Sequence, residues 1–201
     1  MIRFLTLSLL IAISIPVLTM AQQTETLFSG DVSHGGFGAP IFGVTSINGE
    51  ASYLRGTRGA WMLKFRDGHA VNIGGGWYRT QSGFDAVNWP AGSETPEMRT
   101  NYGGFELEYL NRSHKLIHFG AQVMIGGGTV QFRDSDIDLE KRSDRYFAIQ
   151  PGLNAHMNIT NWFRLSGGIF YRVADGVSLE GTSNSDISGT SAILGLRFGK
   201  F

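Results

Sequence analysis

Twelve polar side chains able to do chemistry share one parity within their local stretches. They are Arg58, Lys64, Glu106, Glu108, His118, Gln122, Gln150, Asn154, His156, Arg164, Arg172 and Arg197. Carboxylates among imidazoles and guanidiniums could serve hydrolysis, an ion or proton path, or a static ion-paired scaffold. Hydrolysis needs a nucleophile within reach of a histidine that a carboxylate orients. None of His34, His69, His114, His118 and His156 has a serine two residues on. Ser33-His34 and Ser113-His114 are adjacent pairs, which in a strand point to opposite faces. The acidic run Asp134, Asp136, Asp138, Glu140 has the spacing of a calcium loop, but Leu139 stands where that loop requires glycine. It therefore reads first as a solvated loop. Gly74-Gly75-Gly76 and Gly126-Gly127-Gly128 lack the following helix that a phosphate-cradling loop needs. No cofactor or metal site is expected.

The elements that must position these groups are strands. Ile117, Phe119, Ala121, Val123 and Ile125 alternate with His118, Gly120, Gln122 and Met124, the period of a pleated strand with one apolar face. Phe147, Ile149, Leu153, Ala155 and Met157 repeat the pattern, as do Phe163, Leu165, Ile169, Tyr171 and Val173. Eight strands are expected near 35–47, 50–65, 69–80, 99–110, 115–132, 146–157, 162–173 and 190–201. Asn48-Gly49 is a tight hairpin signal. Beyond it, short connections alternate with long ones at 81–98, 133–145 and 174–189. Asn111-Arg112-Ser113 and Asn158-Ile159-Thr160, which match glycosylation sequons, read as turns. Short turns on one side and long loops on the other are the signature of a transmembrane barrel, and a soluble sandwich has no reason to sort them. Phe65, Trp77, Tyr109, Phe132, Phe147, Trp162, Phe163 and Tyr171 fall near strand ends, as interfacial girdles do. The fold class is all-β: an eight-stranded antiparallel up-and-down barrel.

Export fits that reading. Arg3 precedes the apolar stretch Phe4 to Leu18, and Thr19-Met20-Ala21 offers small residues for cleavage after Ala21. Residues 1–21 are thus expected to be a signal peptide, 22–34 a short periplasmic segment, and 35–201 the barrel. Without Arg3, 16 Lys and Arg face 17 Asp and Glu, a balance that argues against nucleic acid as a partner. Cysteine is absent, so neither a disulfide framework nor a lipidated cysteine is available. Glycine is abundant, at 28 residues, which suits curved strands and leaves room for bulky interior neighbours.

Across 35–201 the chain resembles the small eight-stranded outer-membrane barrels of the OmpA/OmpX type. Its end, Leu194-Gly195-Leu196-Arg197-Phe198-Gly199-Lys200-Phe201, is similar to the ends of outer-membrane barrels of Bacteroidota. The resemblance implies a Gram-negative outer membrane, with lipid and lipopolysaccharide around the barrel. It also implies recognition by the barrel-assembly machinery through Phe201. Leu194, Leu196 and Phe198 are out of step with Phe201, so a bulge or frayed end is expected there. Loops 81–98, 133–145 and 174–189 would offer surface to an extracellular partner and tolerate insertion.

A lumen of eight strands holds only side chains, so Arg58, Lys64, Glu106, Glu108, His118, His156, Arg164, Arg172 and Arg197 should form one ion-paired network. Glu108 is expected opposite His118 and His156 beside Arg164, with Glu106 and Glu108 sharing the lumen with Arg58, Arg164 and Arg172. The function expected is structural or surface-interacting, with a plugged lumen and no catalysis. A small-molecule conduit ranks second. Third is a lipid A-modifying enzyme, whose deacylase family carries a His-x-Ser pair that this chain lacks.

Overall fold

The computed structural model describes residues 32–81, 83–86, 96–132 and 143–201. The expected signal peptide, nearly all of the segment before residue 34, the acidic run 134–140 and most of loops 81–98 and 133–145 lie outside the described residues.

Eight long strands follow the period-2 segments: β1 Ser33–Ile47, β2 Glu50–Lys64, β3 Ala70–Thr80, β5 Glu97–Asn111, β6 Ile117–Phe132, β7 Ser143–Asn158, β8 Phe163–Asp175 and β9 Gly189–Lys200. A two-residue strand, β4 Phe84–Asp85, lies beside β5, and one helical turn, α1 Asn184–Ile187, precedes β9. Sequence patterning marked neither, because two residues and one turn are too short to show a period. All pairings are antiparallel. The order runs β3, β2, β1, β9, β8, β7, β6, β5, and a β3–β5 pairing closes the ring. Closure leaves the long strands no free edge, the condition for a sheet surrounded by hydrocarbon.

Asn48 and Gly49 both take positive φ, 53° and 75°, as a two-residue turn matched to strand twist requires. At the opposite end three turns interlock. The Ser113 amide donates to the Gly68 carbonyl at 2.7 Å, and the Asn158 amide to the Leu116 carbonyl at 2.9 Å.

The alternation sorts side chains inside-out. Phe42, Trp61, Trp77, Phe105, Phe119, Leu153, Ile169 and Leu194 are exposed on the outer wall. Arg58, Glu106, Glu108, Arg164, Arg172 and Arg197 are buried within. Of the aromatics assigned to girdles, Trp77, Tyr109, Phe147, Trp162 and Tyr171 are exposed, but Phe132 is buried. Phe132 shares the parity of Met124 and Val130 and so turns inward with them.

Inward glycines make room for large neighbours. A Cβ on Gly76 would meet the Glu106 and Tyr78 side chains, one on Gly128 the Tyr146 ring, and one on Gly152 the Phe170 ring.

The bulge or frayed end expected near the C-terminus does not occur. The β1–β9 register is the same at Thr45↔Ser191 and at Gly36↔Lys200. Inward parity therefore runs from Arg197 through Gly199 to Phe201. That ring packs with Met62, Ala70 and Leu110 at the short-turn mouth of the lumen.

Candidate functional site

At mid-lumen, six strands converge on two carboxylates. Glu108 of β5 is fully buried and takes both arms of Arg197 of β9, Nη1 to Oε2 and Nη2 to Oε1, each at 2.8 Å. Asn72 Nδ2 of β3 donates to Oε2 at 2.6 Å, and Asn154 Nδ2 of β7 to Oε1 at 2.9 Å. Glu106 meets Arg58 Nε of β2 at 2.9 Å and accepts the Tyr78 hydroxyl of β3. Arg58 Nη1 donates to Gln122 Oε1 of β6 at 2.7 Å, and Nη2 lies 3.7 Å from Glu108. A buried charge is tolerable when paired and hydrogen-bonded, and both carboxylates meet that condition.

The two other guanidiniums sit apart from this centre. Towards the long-loop end, Arg172 Nε donates to the Ile187 carbonyl at 2.8 Å and Nη1 to Thr45 Oγ1 at 3.4 Å, above the Tyr102 ring at 4.6 Å. Towards the short-turn end, Arg164 Nε donates to Asn158 Oδ1 at 2.6 Å and Nη2 to the Ser113 carbonyl at 3.4 Å, 4.2 Å over Phe201. Glu106 is thus ion-paired with Arg58, while Arg164 and Arg172 lie towards opposite ends. Lys64 is half-buried at the short-turn mouth.

Two expected contacts are corrected. Glu108 faces Gln122, not His118, because the chain pairs Asn111 with Phe119 and spends 112–116 in the turn. His156 faces Ser166, not Arg164, whose partner is Asn158. His118 instead pairs with His156 across β6–β7, their rings stacked at 5.0 Å.

This register assembles a group that no linear motif marks. Ser166, His156 and Glu108 stand together, with His156 Nε2 3.4 Å from Glu108 Oε1. The Ser166 hydroxyl is committed, donating to the Gly195 carbonyl at 3.2 Å and accepting from Arg197 Nε at 3.1 Å. All three residues are at most 5% exposed and link β5, β7 and β8 within the lumen. Asn72, Tyr78, Tyr102 and Tyr146 also escaped sequence reading. All four share the inward parity; Asn72, Tyr78 and Tyr102 lie on the glycine-containing strands β3 and β5, where polar–apolar contrast is weak, and Tyr146 stands at the edge of its expected strand.

One long connection folds over the long-loop end as a partial cap. Leu179 and Ile187, from the connection between β8 and β9, are buried in the lumen's apolar cluster with Ile47, Met98 and Val130. The Asn48 amide donates to the Asp186 carbonyl at 2.7 Å, tying this cap to the first hairpin turn. Loop 174–189, expected to offer open surface, is therefore anchored at two points.

A closed ring of eight antiparallel strands, apolar outside and ion-paired inside, is the architecture of the small eight-stranded barrels. No family model matches the chain, and no curated protein matches it. Among solved structures it is similar to Neisserial surface protein A, with a TM-score of 0.50, 11% identity and coverage of 85% of this chain and 99% of that one. Ail, the attachment invasion locus protein of Yersinia pestis, aligns with a TM-score of 0.48 at 17% identity, over 84% of this chain and 97% of that one. The N-terminal barrel domain of Pseudomonas aeruginosa OprF aligns with a TM-score of 0.47 at 10% identity, over 84% and 99%. At such identities the likeness is one of fold.

Proposed function

We propose that this chain is an outer-membrane barrel of a Gram-negative envelope, exported by residues 1–21, with a structural or surface-interaction role and a lumen closed by its own side chains. The observation that carries the reading is the inverted polarity: Phe119, Leu153 and Ile169 are each at least 66% exposed while Glu108, Arg172 and Arg197 are fully buried. A soluble domain has no use for such an exterior, whereas lipid requires it. The short turns then face the periplasm and the long loops the exterior, where they offer surface to a partner. Lipid and lipopolysaccharide surround the wall, and the assembly machinery would read the C-terminal Phe201.

The decisive experiment is fractionation joined to gel mobility. Unboiled protein from the outer-membrane fraction should migrate apart from boiled protein, and planar bilayers with pure protein should show no steady conductance. Recovery as a soluble periplasmic species without a heat-dependent shift would overturn the membrane reading. Persistent single-channel currents would overturn the closed lumen and favour a conduit.

A further inference from the structure

A cavity of about 360 Å³ opens at the short-turn mouth, lined by Lys64, Ser113, His114, Asn158, Arg164 and Phe201 among others. Arg164 is only 2% exposed. Its Nε and Nη2 are spent on Asn158 and Ser113, but Nη1 is buried without a hydrogen-bond partner among the described residues. A buried guanidinium N–H lacking an acceptor is costly and calls for one. The lumen's carboxylates are taken, since Glu108 holds Arg197 and Glu106 holds Arg58.

Charge around the mouth points the same way. Lys64, Arg66, Arg112, Lys115 and Lys200 stand at this end against Asp67. Among the described residues the other end carries Glu50, Asp85, Glu97, Asp144, Asp175, Glu180 and Asp186 beside Arg79, Arg99 and Arg145, a net negative balance. A concave site lined by one sign of charge concentrates counter-ions.

We propose that the short-turn mouth binds an oxyanion, a carboxylate or phosphate group, seated between Lys64 and Arg164. Arg164 supplies a fixed guanidinium, held by Asn158, Ser113 and the Phe201 ring. Lys64 supplies a mobile ammonium at the rim. Placing the ligand in the periplasm rests on the outer-membrane reading; the site itself does not.

The test is calorimetric titration of the folded full-length barrel in zwitterionic detergent at low salt, with inorganic phosphate and, separately, N-acetylglutamate. Saturable binding of at least one anion is expected, weakened about tenfold by Lys64→Gln and restored by Lys64→Arg. Arg164→Gln should abolish it, with a retained heat-dependent gel shift showing that the variant folds. Should Arg164→Gln fail to fold, the Lys64 pair decides alone. Binding of phosphate only assigns a phosphate-bearing ligand, and binding of N-acetylglutamate only a carboxylate-bearing one. No saturable binding of either, or equal binding in Lys64→Gln, would overturn the site. A barrel that shifts on heating and fractionates with the outer membrane, yet binds neither anion, sinks this proposal and leaves the membrane reading standing.

Discussion

The middle of the lumen and its long-loop end both bury arginine, but they hold it differently. At mid-lumen Arg197 grips Glu108 with two charge-assisted bonds, and Arg58 bridges both carboxylates. At the long-loop end Arg172 has a carbonyl, a hydroxyl and an aromatic face. The first arrangement joins strands through mutually dependent charges, so losing either partner leaves the other buried without its counter-charge. The second joins a strand to a cap through dipoles, so losing it frees the cap without leaving an uncompensated charge. Burial alone thus says little about what an arginine does; its acceptors decide.

The strongest way to break the contrast is Glu108→Ala, which strands Arg197 and deprives Asn72 and Asn154 of an acceptor. It should lower stability by about 3–5 kcal/mol, read as a fall in the urea midpoint of reversible folding into micelles. In a double-mutant cycle with Arg197→Met, the pair should show a strong favourable coupling, and additive effects would refute the ion-paired centre. Glu106→Ala should cost somewhat less, about 3 kcal/mol, because only Arg58 and Tyr78 lose a partner.

Arg172→Gln should cost about 1–2 kcal/mol, and the loss should be local. Residues 176–188 should be cut faster in limited proteolysis, while the heat-dependent gel shift of the barrel persists. Equal losses in Arg172→Gln and Glu108→Ala would erase the distinction between centre and cap. The smallest effect should come from an epitope tag after Ser183, an exposed residue between the buried anchors Leu179 and Ile187. Antibody should reach it on intact cells with little change in folding. A tag after Lys115, on the opposite turns, should stay hidden until the outer membrane is permeabilised. The reverse pattern would invert the proposed orientation and remove the loops as a surface for outside partners.

Much of this fold was legible because strand periodicity is strong where it matters. The alternation from Ile117 to Ile125 continues without a break in β6, and Asn48-Gly49 marked its turn by residue type. The cap was not legible: Leu179 and Ile187 are isolated apolar residues in a polar loop, with no period to reveal them. The Ser166–His156–Glu108 grouping escaped because its members lie on three strands. Phe201 misled because it was compared with its outward neighbours Leu196 and Phe198, when it belongs in step with Arg197.

Which side chains enter the lumen follows from the sequence by itself, since in a pleated strand side-chain direction is a local property of period two. Arg58, Glu106, Glu108, Arg164, Arg172 and Arg197 could be placed inside on that ground alone. Which of them meet was decided only in the tertiary structure. A turn that spends 112–116 instead of stopping at His114 moves the partner of Glu108 four residues, from His118 to Gln122. Ring closure then brings Arg197 of β9 onto Glu108 of β5, 89 residues apart. Parity is written residue by residue, but register is set by turns and closure that the pattern along one strand does not contain.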